Sequence, residues 1–201
     1  MSRVANCLYH GTDRHSEDTG VTLMDRGPAN GTGIAPESYR ALMRHQAGAV
    51  TVVATGHGET RAGLTATAFS SLSDSPPTVL VCVRRTASAH DSIITARRFA
   101  VNILSLAQQG IAERFSGKGG FRGAARFEGA SWSTLRTGSP VLDGALANLD
   151  CELVEHHVFT THSIVIGHVV DGRFDASAEP LLYFRGDYWN IGSANGDTGG
   201  R

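Results

Sequence analysis

The sequence predicts a mainly β chain that closes as an antiparallel barrel carrying a few short helices. Three observations carry that expectation. Runs rich in β-branched residues recur at spacings of about 10–15 residues, with turn residues between them. The helical stretches are short and do not alternate one for one with the strands, which speaks against a βαβ nucleotide fold. Apolar residues make up 41% of the 201-residue chain, enough to bury the core of one domain.

Taken in order, residues 1–34 mix Gly, Asp, Arg, His and Thr without apolar periodicity, and residues 193–201 return to that composition. The expected domain is therefore 35–192, with a tail at either end. Pro36 suits the first turn of a helix whose repeat is Tyr39, Leu42, Met43 and Gln46, stopped at Gly48. Gly48 to Thr55 reads as a strand, Gly56 to Thr60 as a hairpin turn, and the next strand carries Arg61 into Gly63. A turn at Pro76-Pro77 leads into the strand Thr78 to Val83. Ser88 followed by Asp91 predicts a capped helix continued by Ile93, Ile94 and Arg97. Phe99 to Leu104 is a strand, and Ser105 with Gln108 caps another short helix ending near Phe115. Ser116 to Arg126 is a glycine-rich, basic loop. Strands at Trp132 to Thr137, Leu146 to Val158, Ser163 to Val170 and Pro180 to Phe184, then Gly186 to Tyr188, close the domain.

Several function classes drop out on composition. The formal net charge is −1, so no basic face calls for nucleic acid or an acidic membrane surface. Cys7, Cys82 and Cys151 share no metal-ligand or redox spacing, which places reduced thiols in the cytoplasm. No apolar run approaches a membrane span, and no basic segment with an apolar core opens the chain as a secretory signal would.

The familiar nucleotide and nucleophile motifs fail. Gly56-His57-Gly58 begins a GxGxxG pattern, but its third position is Arg61. Gly117-Lys118 is followed by Gly119 where a phosphate loop needs Ser or Thr, and no serine sits in a GxSxG elbow. His156, His157, His162 and His168 cluster in sequence, yet adjacent His156 and His157 would face opposite sides of a strand. No cysteine or carboxylate set completes a coordination sphere, so no metal is expected.

The stretch from Gly63 to Arg84 is dense in small and hydroxylated residues, which lets a ligand approach the backbone and offers donors and acceptors. It reads Gly63-Leu64-Thr65-Ala66-Thr67-Ala68-Phe69, then Ser71-Leu72-Ser73, Pro76-Pro77 and Cys82. This resembles the flavin reductase family, whose pattern runs Gly-Met-Thr-Ala-Ser-Ser-Phe, Ser-Val-Ser, Pro-Pro and a strand ending in Cys. The resemblance extends from about Tyr39 to about Tyr188. It implies the antiparallel Greek-key split β-barrel that binds FMN, usually as a homodimer with the flavin near the subunit interface.

For the cofactor site, the resemblance implies that the Thr65-Ala66-Thr67-Ala68 backbone faces the isoalloxazine ring and that Ser71 and Ser73 serve the ribityl chain. Cys82 and Val83 would line the site from the strand, and His90 from the following helix. Arg84, Arg85 and Ser88, ahead of a helix start, would hold the phosphate. Phe115-Ser116-Gly117-Lys118 and Arg126 are similar to the family's second phosphate-side segment. The catalytic candidate is His162, in Thr160-Thr161-His162, where the family has Gly-Asp-His. Thr161 replaces the Asp, so no anion holds the imidazole charged.

The activity implied is NAD(P)H-dependent reduction of FMN or FAD, with hydride passing from NADH or NADPH to the flavin and reduced flavin diffusing to a partner monooxygenase. The same resemblance leaves two alternatives open. One is a split-barrel flavoprotein that keeps its flavin and reduces another acceptor; the other is a non-enzymatic flavin carrier or sensor.

Overall fold

A computed structural model describes residues 33–191. The expected tails therefore lie outside the described residues, except for the last residues before Pro36. Helix α1 spans Pro36–Met43, with Pro36 in its first turn as expected. Strands β1 (Gly48–Ala49) and β2 (Thr51–Thr55) follow, then β3 (Ala62–Ala66), β4 (Phe69–Asp74) and β5 (Pro77–Arg84). Helix α2 (His90–Ala96) leads into β6 (Arg98–Ile103), and α3 (Gln109–Phe115) follows the Ser105 turn. The remaining strands are β7 (Trp132–Thr134), β8 (Pro140–Leu142), β9 (Ala147–Phe159), β10 (His162–Phe174), β11 (Leu182–Phe184) and β12 (Asp187–Trp189). Among the described residues, no helix is long and apolar enough to cross a membrane.

Seven strands form the main sheet in the order β3-β2-β6-β9-β10-β5-β4, every neighbouring pair antiparallel. Its two edges, β3 and β4, are consecutive in the chain and separated by only Thr67 and Ala68. A connection that short forces the sheet to curl until its edges meet, because two residues span only about 7 Å. Cys82 N donates to Ala68 O at 2.9 Å, which continues the β4–β5 register up to the seam. Thr67 and Ala68 thus cross the opening of a split barrel, with Ala68 O still tied to β5.

Strand alternation sorts the side chains into two cores. Leu64, Ala66, Val79, Val81, Val83, Phe99, Val101, Cys151 and Val165 fill the barrel, and Ile93 of α2 plugs one end. Gly167 lies over Phe99 so closely that a Cβ there would meet the ring at 2.5 Å, which is why β10 carries glycine at that inward position. Outside the barrel, Val50, Val52 and Ala54 pack with Phe115, Phe127, Leu142 and Leu181 under α3 and the smaller sheets. Ser105 and Gln108 make the expected capping box.

Four expectations about elements are corrected. The single strand from Gly48 breaks at Val50, whose N–H donates to Leu181 and whose carbonyl accepts from Leu104; β1 therefore pairs with β11, and β2 with β3 and β6. The strand expected to Thr137 stops at Thr134, because the Asp150 carboxylate captures the Thr137 backbone N–H and hydroxyl. Ser88 caps no helix: Ala89 precedes α2, and Asp91 accepts from His90 instead. The loop from Ser116 contains two short 3-10 turns, Lys118–Gly120 and Gly123–Phe127.

Candidate active site

The seam and the open ends of β5 and β10 come together on one outer face. Val83 and Ser163 point inward and are buried, so their neighbours Cys82, Arg84, His162 and Ile164 point outward. His162 is the cross-strand partner of Arg84, and Ile164 that of Cys82. The Cys82–Ala68 contact lies two residues before Arg84, about 7 Å along the strand. Thr67, Ala68, Cys82, Arg84 and His162 thus form one continuous strip.

At one end of the strip lies a cavity of about 110 Å³, lined by Tyr39, Met43, Arg44, Gln46, Gly48, Thr67, Ala68 and Tyr183. The Tyr183 hydroxyl is buried there without a hydrogen-bond partner, and burial pushes its acidity down, raising its pKa. At the other end the Arg84 Nε is buried and likewise unsatisfied. Both are strong hydrogen-bonding groups left unpaired, an arrangement normally costly in a fold and common where a ligand completes the pairing.

His162 is half-buried, and its Nδ1 lies 2.8 Å from the Thr161 hydroxyl. Burial, with the Arg84 guanidinium beside it, lowers its pKa below the ordinary 6.5. The ring is therefore neutral at pH 7. The Thr161 hydroxyl can serve Nδ1 as donor or as acceptor. Arg85 secures the turn that presents this ring: its backbone N–H donates to Thr161 O at 3.0 Å and its Nη1 to Thr160 O at 3.1 Å. Ser88 is exposed in the same loop.

Other nominated side chains are turned inward or already engaged. Thr65 is fully buried, and its hydroxyl donates to Ala112 O of α3 at 2.6 Å. The Ala66 side chain lies in the barrel core and its carbonyl accepts from the Thr51 hydroxyl. Ser73 Oγ accepts from Ser75 N in the β4–β5 turn; its partner Thr78 stands six residues from Arg84, roughly 20 Å along β5. Ser71 is exposed on β4. Val83 is a core residue, and His90 is buried between Asp91 and Ser163.

The second phosphate-side segment has its side chains most fully engaged within the fold. Phe115 is fully buried, its ring 4.9 Å from Phe127 and 5.6 Å from Trp132. Ser116 Oγ donates to Glu113 O, and Lys118 Nζ pairs with Glu113 at 2.8 Å. Arg126 donates to the carbonyls of Phe121, Gly63 and Phe115, stitching the loop to β3. Gly117, in a left-handed conformation at φ 91°, offers backbone only. The reason is local: Gly63 has no side chain, so the Phe115 ring occupies that space and draws its neighbours in.

Because Thr65 is structural, Thr65→Val is expected to destabilise the fold by about 1 kcal/mol, at the low end for a buried hydrogen bond because Ala112 O also accepts from Ser116 N. Chemical denaturation checks this. FMN affinity should not change.

Sequence reasoning missed Tyr183, Arg44 and Gln46 as cavity residues, and Ser163 as a partner. The available signal for Ser163 was a hydroxyl at an inward position of the alternating Ser163-Ile164-Val165 run. For the cavity residues no spacing signal exists, since α1 and β11 are brought together by the β1–β11 pairing and by Arg185 N–H donating to Arg44 O, both between residues far apart in the chain. Among the described residues no group of His, Cys, Asp and Glu side chains is assembled as a metal site.

Comparison with known proteins bears on the domain as a whole. A family described as flavin reductase like domain matches residues 43–192. The chain is similar to FMN reductase (NADH) RutF 2 of Methylorubrum extorquens, at 41% identity over 150 residues, 75% of this chain and 86% of that one. Its fold is similar to the NADH:FAD oxidoreductase SgcE6 of Streptomyces globisporus, with a TM-score of 0.76 and 28% identity over 87% of this chain and 100% of that one. It is also similar to BorF, the flavin reductase component of a bacterial two-component tryptophan halogenase, with a TM-score of 0.72, 31% identity, and coverage of 78% and 98%. The barrel, the seam and the matched length lead to one assignment: the chain belongs to the flavin reductase like domain family.

Proposed function

We propose that this protein is an NADH-dependent FMN reductase, an NAD(P)H:flavin oxidoreductase of the EC 1.5.1 type, acting at the strip from Thr67 to His162. The observation that carries the reading is the unsatisfied Arg84 Nε beside His162 on the face that the open seam also borders. The redox chemistry, acceptance of a hydride from NADH, is supplied by bound flavin. Thr67 and Ala68 carry small side chains at the seam, and their main chain, apart from the Ala68 carbonyl bound to Cys82 N, would face a planar ring. Arg84, with Arg85 and Ser88 in the adjoining loop, would hold the phosphate by charge-assisted hydrogen bonds. In the neutral tautomer with its hydrogen on Nε2, His162 would donate toward the nicotinamide and the developing charge.

Reduced flavin released from such a site would feed a separate oxygenase; BorF, described as the reductase component of a two-component enzyme, supports that partnership. A homodimer is part of the reading. Phe159 and Ile164 stand exposed on the face of His162, Phe159 as its cross-strand partner, and a second copy would cover them and seclude the flavin. The buried thiol of Cys151 fits a reducing cytoplasm.

The test is NADH oxidation with excess FMN, FAD or riboflavin, alongside direct flavin titration. Riboflavin lacks the phosphate and should bind more weakly than FMN by about 1.5–3 kcal/mol, the contribution of one hydrogen bond to a charged group. Arg84→Gln should erase most of that difference. Equal affinity for FMN and riboflavin in the wild type would assign Arg84 to solvent, and a bound flavin that NADH never reduces would make the protein a carrier or sensor.

A further inference from the structure

His90 opens α2, is 8% exposed, and uses both ring nitrogens. Nδ1 lies 2.7 Å from Asp91 Oδ1 and Nε2 lies 2.9 Å from Ser163 Oγ. A carboxylate only accepts, so Nδ1 carries the hydrogen, and Nε2 shares a hydrogen bond with the Ser163 hydroxyl. The connectivity matches that of a carboxylate–imidazole–hydroxyl nucleophile relay. Ser163, however, is fully buried in the barrel wall, so no substrate carbonyl can reach its oxygen.

The position of Ser163 points to another use. It follows His162 directly and pairs across the sheet with Val83, whose neighbour Arg84 is the partner of His162. His90 therefore grips β10 one residue from the proposed catalytic side chain. From the opposite side Arg85 grips Thr160 and Thr161 through their carbonyls. The start of β10 is clamped between α2 and the loop after β5. In a β-strand a small shift at the inward residue moves the outward neighbour with it.

We propose that His90 is a positioning residue for flavin reduction: its contact with Ser163 fixes the backbone from which His162 projects, and it acts without touching the cofactor. The proposal rests on the reading of His162 given above. It makes a chemically specific distinction between two substitutions. His90→Gln keeps a polar atom near the reach of Nε2 and so retains the Ser163 contact. His90→Asn places its amide near Nδ1, retains only Asp91, and releases Ser163.

The experiment compares wild type, His90→Asn, His90→Gln, Ser163→Ala, His162→Ala and the His90→Asn/His162→Ala double variant, with rates expressed per folded protein. His90→Asn and Ser163→Ala should lower kcat about tenfold at unchanged FMN affinity, a loss of orientation rather than of binding. His90→Gln should stay within about twofold of wild type, and His90→Asn should add nothing in the His162→Ala background, because both act through one group. Imidazole nitrogen–proton correlation spectra of the flavin-free protein give a readout independent of turnover. The His162 ring resonances should shift in His90→Asn and Ser163→Ala and stay in place in His90→Gln. A His90→Asn variant with wild-type kcat and unmoved His162 resonances, or a His90→Gln variant as slow as His90→Asn, overturns the proposal. A His162→Ala variant as fast as wild type overturns instead the reading on which it rests.

Discussion

His162→Ala is expected to slow NADH-dependent FMN reduction about 100-fold, the usual scale for removing one hydrogen-bonding group that acts on developing charge. FMN affinity should be nearly unchanged, because the substitution leaves in place Arg84 and the seam backbone, the groups proposed to hold the flavin. The pH dependence follows from the depressed pKa of His162. Its neutral form persists as pH falls through the ordinary histidine range, so wild-type turnover should be flat between about pH 7 and 8 and change only below the reference value near 6.5. The linked effect on stability has a definite sign: the unfolded chain takes up this proton at higher pH than the folded one, so the contribution is present above the unfolded pKa and is lost as pH falls through the folded pKa. A pH–rate profile of wild type and His162→Ala, with flavin and NADH saturating, separates these effects. Identical profiles would leave His162 as a turn residue.

Phe115→Ala is expected to cost about 3–5 kcal/mol of stability, the range for truncating a fully buried phenylalanine. The ring fills the space over Gly63 and packs on Phe127 and Trp132. Against a typical total of about 5–15 kcal/mol, that loss is severe. It distinguishes the structural role found here from the cofactor contact that the sequence motif implies. A cofactor-facing phenylalanine would leave the apo melting temperature nearly untouched and weaken flavin binding; a core phenylalanine does the reverse. Apo unfolding in denaturant, with flavin titration of the folded variant, decides between them.

The sequence was most legible where local chemistry alone decides the outcome. Pro36 at a helix start and the Ser105–Gln108 capping box need no partner distant in the chain, and both form as read. The alternation in β5 and β10 is equally local, and it places Arg84 and His162 on one face once the register is known. What stayed hidden depends on which layer covers which face. Thr65, Phe115, Ser116 and Arg126 carry chemistry suited to a ligand, yet α3 and the glycine-rich loop consume it internally. His90 shows the same limit in another form: its partner Ser163 is 73 residues away, a distance no motif spacing encodes. Residue type announced the kinds of contact available, and only packing decided whether a side chain spends them on the fold or on a ligand.

The central claim is that the strip joining Thr67, Ala68, Arg84 and His162 is where NADH reduces flavin. Rapid anaerobic mixing of NADH with FMN-loaded protein, followed by flavin absorbance, addresses it in a single turnover. The account predicts that wild type bleaches its flavin with one NADH consumed per FMN, that His162→Ala bleaches about 100-fold more slowly at equal loading, and that Arg84→Gln loads less FMN. Flavin that stays oxidised in the wild type, or bleaching that is indifferent to both substitutions, would contradict it.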